Sequence, residues 1–102
     1  MMIIKCVTDK IKEEIHDAES YIDLAIKWKE EEPTTAELFY ELSNEEMEHM
    51  KRLHEAVTEL IEKYREENGE PPKIMQMLYD ELHKKQIEDS MMVKVKQAMY
   101  RE

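Results

Sequence analysis

The sequence predicts an all-α protein: an antiparallel helical hairpin followed by a third, C-terminal helix, in a single domain spanning residues 1–102. Three observations carry that expectation. Glu, Lys, Leu, Ile and Met dominate a chain with a single glycine, a composition suited to long helices. Apolar residues recur at steps of three and four over long windows, as the buried face of a helix requires. Two breaks, Glu30-Glu31-Glu32-Pro33 and Asn68-Gly69-Glu70-Pro71-Pro72, cut the chain into three such windows. With 102 residues, 41% hydrophobic and 39% charged, it can build one modest core under a well-solvated surface.

The first window carries Ile4, Val7, Ile11, Ala18, Tyr21, Ala25 and Trp28, with Ile15, Ile22 and Ile26 widening the stripe. Thr8 and Asp9 are candidate caps for a helix that begins after a short extended lead-in. The position missing from the series, between Ile11 and Ala18, is Glu14. Pro33 ends this helix because proline disfavours helical geometry in the residue before it. Thr34 followed by Glu37 reads as a capping box that opens the second helix. A connection this short folds the two helices back on each other.

The second helix is expected from about Thr35 to Glu67, with an apolar stripe through Leu38, Leu42, Leu53, Val57, Leu60 and Tyr64. Continued from Leu42 to Leu53, the rhythm lands on Glu46 and His49. The third helix is expected from near Pro72 to Tyr100. Ile74, Met77, Leu78, Leu82, Ile87, Met91, Met92, Val95, Ala98 and Met99 form its apolar set, and most of the nine methionines are expected to be buried. The pattern falters between His83 and Ser90, where only Ile87 is apolar. Three helices make an incomplete four-helix bundle, which association of two hairpins would complete.

A formal net charge of −10 argues against nucleic acid or an anionic membrane as partner, since both select clustered Lys and Arg. It suits attraction of cations, and equally simple solubility. Cys6 is the only cysteine, so neither an intramolecular disulfide nor a thiolate metal cluster is expected. The apolar run Met1 to Val7 is too short for a signal-peptide core or a membrane span. A soluble, cytoplasmic protein is the expectation.

An unpaired carboxylate on a buried stripe costs several kcal/mol, so Glu14, Glu46 and His49 are candidate metal ligands. A carboxylate can bridge two hard cations while an imidazole one turn along binds one of them, and mixed oxygen and nitrogen ligation suits iron, manganese or zinc. Counted to Pro33, Glu14 is nineteen residues away and Glu46 thirteen, an offset of ~9 Å at 1.5 Å rise. Unravelling of Lys29 to Glu32 would lessen it. Asp80, Glu81, His83 and Glu88 on the third helix are further candidates, with solvated charge the stronger reading for each. Glu19 is the alternative to Glu14, His16 and His54 fall off the stripes as surface residues, and Tyr21 and Trp28 read as packed aromatics.

The run Ser43-x-Glu45-Glu46-x-Glu48-His49-x-x-x-Leu53 resembles the second-helix motif of ferritins and, more loosely, of rubrerythrins. Glu14 followed seven residues later by Tyr21 resembles their first-helix pattern. The likeness covers about two thirds of the chain and implies a ferritin-like fold with a di-iron carboxylate site and ferroxidase activity. The short three-helix form resembles the encapsulated ferritins. That resemblance implies a half-bundle completed by dimerisation, with Glu14, Glu46 and His49 as metal-binding and catalytic residues meeting their copies on a two-fold axis. It also implies a homodimer or a higher oligomer of dimers, with an encapsulating shell protein as a further partner. Two rival expectations are a helical structural or interaction module with a degenerate site, and a rubrerythrin-like peroxide-handling protein that lacks cysteines for an electron-donor domain.

Overall fold

Neither proline nor glycine interrupts residues 2–28, and in the computed structural model, which describes residues 2–102, they form one continuous helix, α1 (Met2–Trp28). Helix α2 (Pro33–Asn68) and helix α3 (Lys73–Arg101) follow. No strand is present among the described residues. At 1.5 Å per residue the 36 residues of α2 span about 54 Å, which sets the 55 Å long axis of a rod only 18 × 17 Å across. No described helix is long and apolar enough to cross a membrane.

Contacts between α1 and α2 pair late residues of one with early residues of the other. Ala25 and Ala36 share one buried cluster near the first connection. Ser43 donates a hydrogen bond to the Ala18 carbonyl at 2.8 Å, and Ile4 and Ile61 line one groove at the far end. The chain therefore doubles back at residues 29–32. Ala18, Ala25, Ala36 and Ser43 are fully buried, and their small size lets the two backbones approach closely. Helix α3 returns alongside, with Gln86 near Thr8, Lys96 near Asp23 and Tyr100 near Glu37.

Several local expectations are corrected. Thr8 and Asp9 do not cap α1, which already runs through them; Asp9 instead pairs with Lys5 at 2.8 Å. The Thr34/Glu37 capping box is not formed. Helix α2 starts at Pro33, its N-cap is Glu32, and no side chain caps it, since proline at the first helical position is pre-set in φ and has no N–H to satisfy. Glu37 is used elsewhere, accepting from the Tyr100 hydroxyl at 3.0 Å and from Arg101 at 2.9 Å. At the second break Gly69 takes φ 77° and ψ −170°, a region that residues with a side chain rarely enter.

The buried stripes also differ from the expected ones. Helix α2 buries Ala36, Ser43 and Val57, flanked by Phe39, Tyr40, Met47, Met50, Leu53 and Ile61, while Leu38 is exposed. Apolar residues lie on more than one side of α2, and the side with the small residues Ala36 and Ser43 allows the closest approach to α1. On α3 the inversion is larger. Only Val93 and Tyr100 are buried; Ile74, Met77, Leu78, Leu82, Ile87, Met91, Met92, Val95 and Met99 are exposed, so the expected burial of most methionines fails as well. What α3 turns toward the hairpin is mainly polar: His83, Gln86, Lys96 and Gln97.

Candidate metal centre

Helix α1 carries Glu14 between the buried residues Ile11, Ile15 and Ala18, and α2 carries Glu46 and His49 one and two turns beyond Ser43. The Ser43–Ala18 bond fixes the register of the two helices beside these positions. With α1 ending at Trp28 and α2 beginning at Pro33, Glu14 lies fourteen residues before one helix end and Glu46 thirteen after the other. The offset counted from the sequence disappears because residues 29–32 form the turn.

One ligand atom each from Glu14, Glu46 and His49 lie within 4.8 Å of one another. His49 Nδ1 stands 3.8 Å from Glu14 Oε2 and 3.8 Å from Glu46 Oε2. These separations are too long for hydrogen bonds. Ligand atoms sharing one divalent ion at ~2.1 Å stand at most ~4.2 Å apart, so a shift of well under an ångström would close the three around an ion. Both carboxylates are largely withdrawn from solvent, with side chains 16% and 19% exposed, while His49 is 52% exposed. Among the described residues no Lys or Arg pairs with either carboxylate. Two neighbouring, half-buried carboxylates repel each other, and a cation between them removes the repulsion.

The cluster opens at an edge. Met47 and His54 line the cavity shared with α3, and each α2 residue is turned about 100° from the next, so Glu46 and His49 face away from α3. His49 is accordingly half exposed. Three donors fall short of the four to six that such cations take, and α3 supplies none of the others. Asp80 accepts from Gln76 at 2.9 Å, Glu81 and Glu88 lie on the outer side of α3, and His83 stacks on His54. Glu19 pairs with Lys96 at 3.8 Å, and Tyr21 stacks on Phe39. No family model, curated protein or solved structure matches this chain.

Sequence reasoning misplaced one histidine. His54 is half buried, not a surface residue, and its ring lies parallel to that of His83 at 5.1 Å, with Tyr79 next in the stack at 5.9 Å from His83. The signal was present: His54 follows Met47 by seven residues and Met50 by four, the spacing of one helix face. The three helices flank an open groove of about 480 Å³ against this pair, floored by Ile11, Ile15 and Met47.

Proposed function

We propose that this chain is a ferritin-like iron-binding protein in which Glu14, Glu46 and His49 form half of a di-iron carboxylate site. A second copy, meeting the first across the open edge, completes the site. The observation that supports this reading is the meeting of two carboxylates without a Lys or Arg partner and one imidazole, from two helices, within 4.8 Å. Mixed oxygen and nitrogen donors of this kind suit iron, with manganese and zinc as alternatives. Doubling the set gives four carboxylates and two imidazoles, the usual di-iron complement in helical bundles.

In this reading the protein is cytoplasmic and acts on Fe(II) as a ferroxidase. Each of two Fe(II) ions gives up one electron; with peroxide as oxidant the O–O bond breaks and, with two protons, two waters form. Glu14 and Glu46 would supply carboxylate oxygens to the bound iron, and His49 would supply a nitrogen donor. The acidic surface draws cations toward the edge. A second reading rests on the position of His49, 3.8 Å from both carboxylates: the cluster is a structural clip between α1 and α2 with no metal at all.

Metal content and particle mass, measured together on protein purified without chelator, test the proposal. Iron or manganese is expected at about one ion per chain, lost in Glu46→Ala and His49→Ala, with Fe(II) oxidation faster than in buffer. Failure of the wild type to bind either metal at that level sinks the reading. Binding without faster oxidation removes only the enzymatic part. Thermal melting separates the structural clip. Metal at about a hundred times its dissociation constant adds ~2.7 kcal/mol, and Glu46→Gln abolishes that rise if the site is real. If the cluster is only a clip between the helices, metal raises the melting temperature of neither protein, and Glu46→Gln melts below the wild type without metal.

A further inference from the structure

The open groove between α2 and α3 combines an apolar floor with one cationic end. Ile11 and Ile15 of α1 form the floor, and Met47, Met50 and Ile87 stand on the walls. At about 480 Å³ it has the size of a small-molecule site, and methionine walls adjust to the shape of a ligand. The contacts Ser43–Gln97 and His54–His83 show that α2 and α3 run antiparallel, which sets Lys51 level with residues 86–87. One end of the groove therefore gathers Lys51 and His54, a turn apart on α2, opposite His83 and Gln86, a turn apart on α3.

The charge of that end is opposite to the charge of the chain. With a formal net charge of −10, most of the surface repels anions. Glu48 is the one acidic residue that lines the groove, and it lies a turn away from Lys51, level with Ser90. Lys5, Lys10, Lys85 and Lys96 each pair with a carboxylate, whereas no ion pair engages Lys51 among the described residues. The rings of His54 and His83 stack on each other, which leaves their in-plane nitrogens to meet a ligand. An ammonium group and two imidazoles can all donate to a carboxylate, and such charge-assisted bonds are roughly twice as strong as neutral ones.

We propose that this groove binds a medium-chain carboxylate, one molecule per chain, with the carboxylate at Lys51, His54 and His83 and the hydrocarbon tail along Met50, Ile87 and Met47. From His54 to Met47 is seven residues of α2, ~10 Å at 1.5 Å rise, a span that suits a chain of about eight carbons. The site is separate from the Glu14/Glu46/His49 edge, which faces away from α3, and it needs no metal.

Titration of octanoate into the full chain in chelator at neutral pH, followed by proton NMR of the histidine rings, tests this. The His54 and His83 resonances are expected to move while those of His16 and His49 stay in place. Octan-1-ol should bind at least about tenfold more weakly, and octylammonium more weakly still, although the net charge of the chain favours the cation. Lys51→Glu should weaken octanoate about tenfold or more and leave octan-1-ol unchanged, and Glu48→Gln should tighten octanoate. Both positions are exposed, so helicity measured by circular dichroism should not change. The proposal is overturned if octanoate does not bind below about 10 mM, if octan-1-ol or octylammonium binds as tightly, or if Lys51→Glu binds octanoate unchanged. Binding that leaves His54 and His83 unmoved overturns it too, since the ligand then sits on another apolar surface such as the outer side of α3.

Discussion

Between α1 and α2 the contact is apolar: Ile11, Ile15 and Val57 belong to one buried cluster, Ile22, Ala25 and Ala36 to another. Between α3 and that pair, Val93 and Tyr100 are the buried apolar contributions, with Met75 and Tyr79 half-buried in the groove of Ile4 and Ile61; most of the remaining contact is directional. Gln97 donates to Ser43 at 2.9 Å, Lys96 to Asp23 at 2.9 Å, and the Tyr100 hydroxyl to Glu37 at 3.0 Å. Burial of apolar area scales with the surface removed from water, while a hydrogen bond exchanged for one to water contributes only ~0.5–1.5 kcal/mol net. The difference teaches that the first two helices hold the fold, and that α3 is placed by specific bonds with its apolar side left over.

The sharpest way to break that comparison is to truncate one residue on each side of it. Ile22 is completely buried, so Ile22→Ala is expected to cost about 2–5 kcal/mol in urea unfolding, the range for isoleucine deletions that leave a cavity. Leu78 is 61% exposed. Leu78→Ala in dilute protein, where chains are apart, should stay within about 0.5 kcal/mol of wild type. Comparable losses at the two positions would mean that α3 is buried in a way this arrangement does not contain.

The same contrast explains how much could be read from the sequence. The three helices were legible because proline and glycine interrupt the chain only at the two connections. The meeting of Glu14, Glu46 and His49 was legible too, because the i, i+3 spacing of Glu46 and His49 is local and Glu14 fills a gap in the stripe opposite. The side of α3 that packs was not. Periodicity reports which face is apolar, and it was assumed that the hairpin would cover that face. Nor were the roles of Glu37 and His54 readable, because Glu37 meets Tyr100 and Arg101, and His54 meets His83, only after the chain has folded back twice. Long-range polar pairs leave no periodic trace.

Ser43 joins the two kinds of contact and gives a test of intermediate size. Its hydroxyl is fully buried, donates to the Ala18 carbonyl and accepts from the Gln97 side chain, so one atom links all three helices. Ser43→Ala removes little volume but leaves the Gln97 amide without its acceptor, and a loss of about 1–2 kcal/mol is expected. A double-mutant cycle with Gln97→Ala sharpens the point. A coupling of at least ~0.5 kcal/mol assigns the loss to the bond with α3, and additive effects would assign it to α1 alone.

The smallest expected effect is electrostatic and carries a sign. Lys96 on α3 has its pKa raised above the usual lysine value, chiefly by its hydrogen bond to Asp23; partial burial opposes the shift, and the charges of Asp23 and Glu19 add to it. A raised value in the fold means that the protonated form is the one stabilised. The contribution is therefore complete below the unfolded lysine pKa of ~10.4 and disappears as pH climbs through the folded value. Lys96→Met keeps most of the apolar stem and removes the charge, so it should cost no more than ~1 kcal/mol near neutral pH, as for other partly exposed ion pairs. The gap in melting temperature between the two proteins should then close once the pH stands above the folded Lys96 value, since the remaining lysines titrate alike in both. If the gap stays open at that pH, Lys96 holds α3 through packing of its stem, and the polar character assigned to this contact is wrong there.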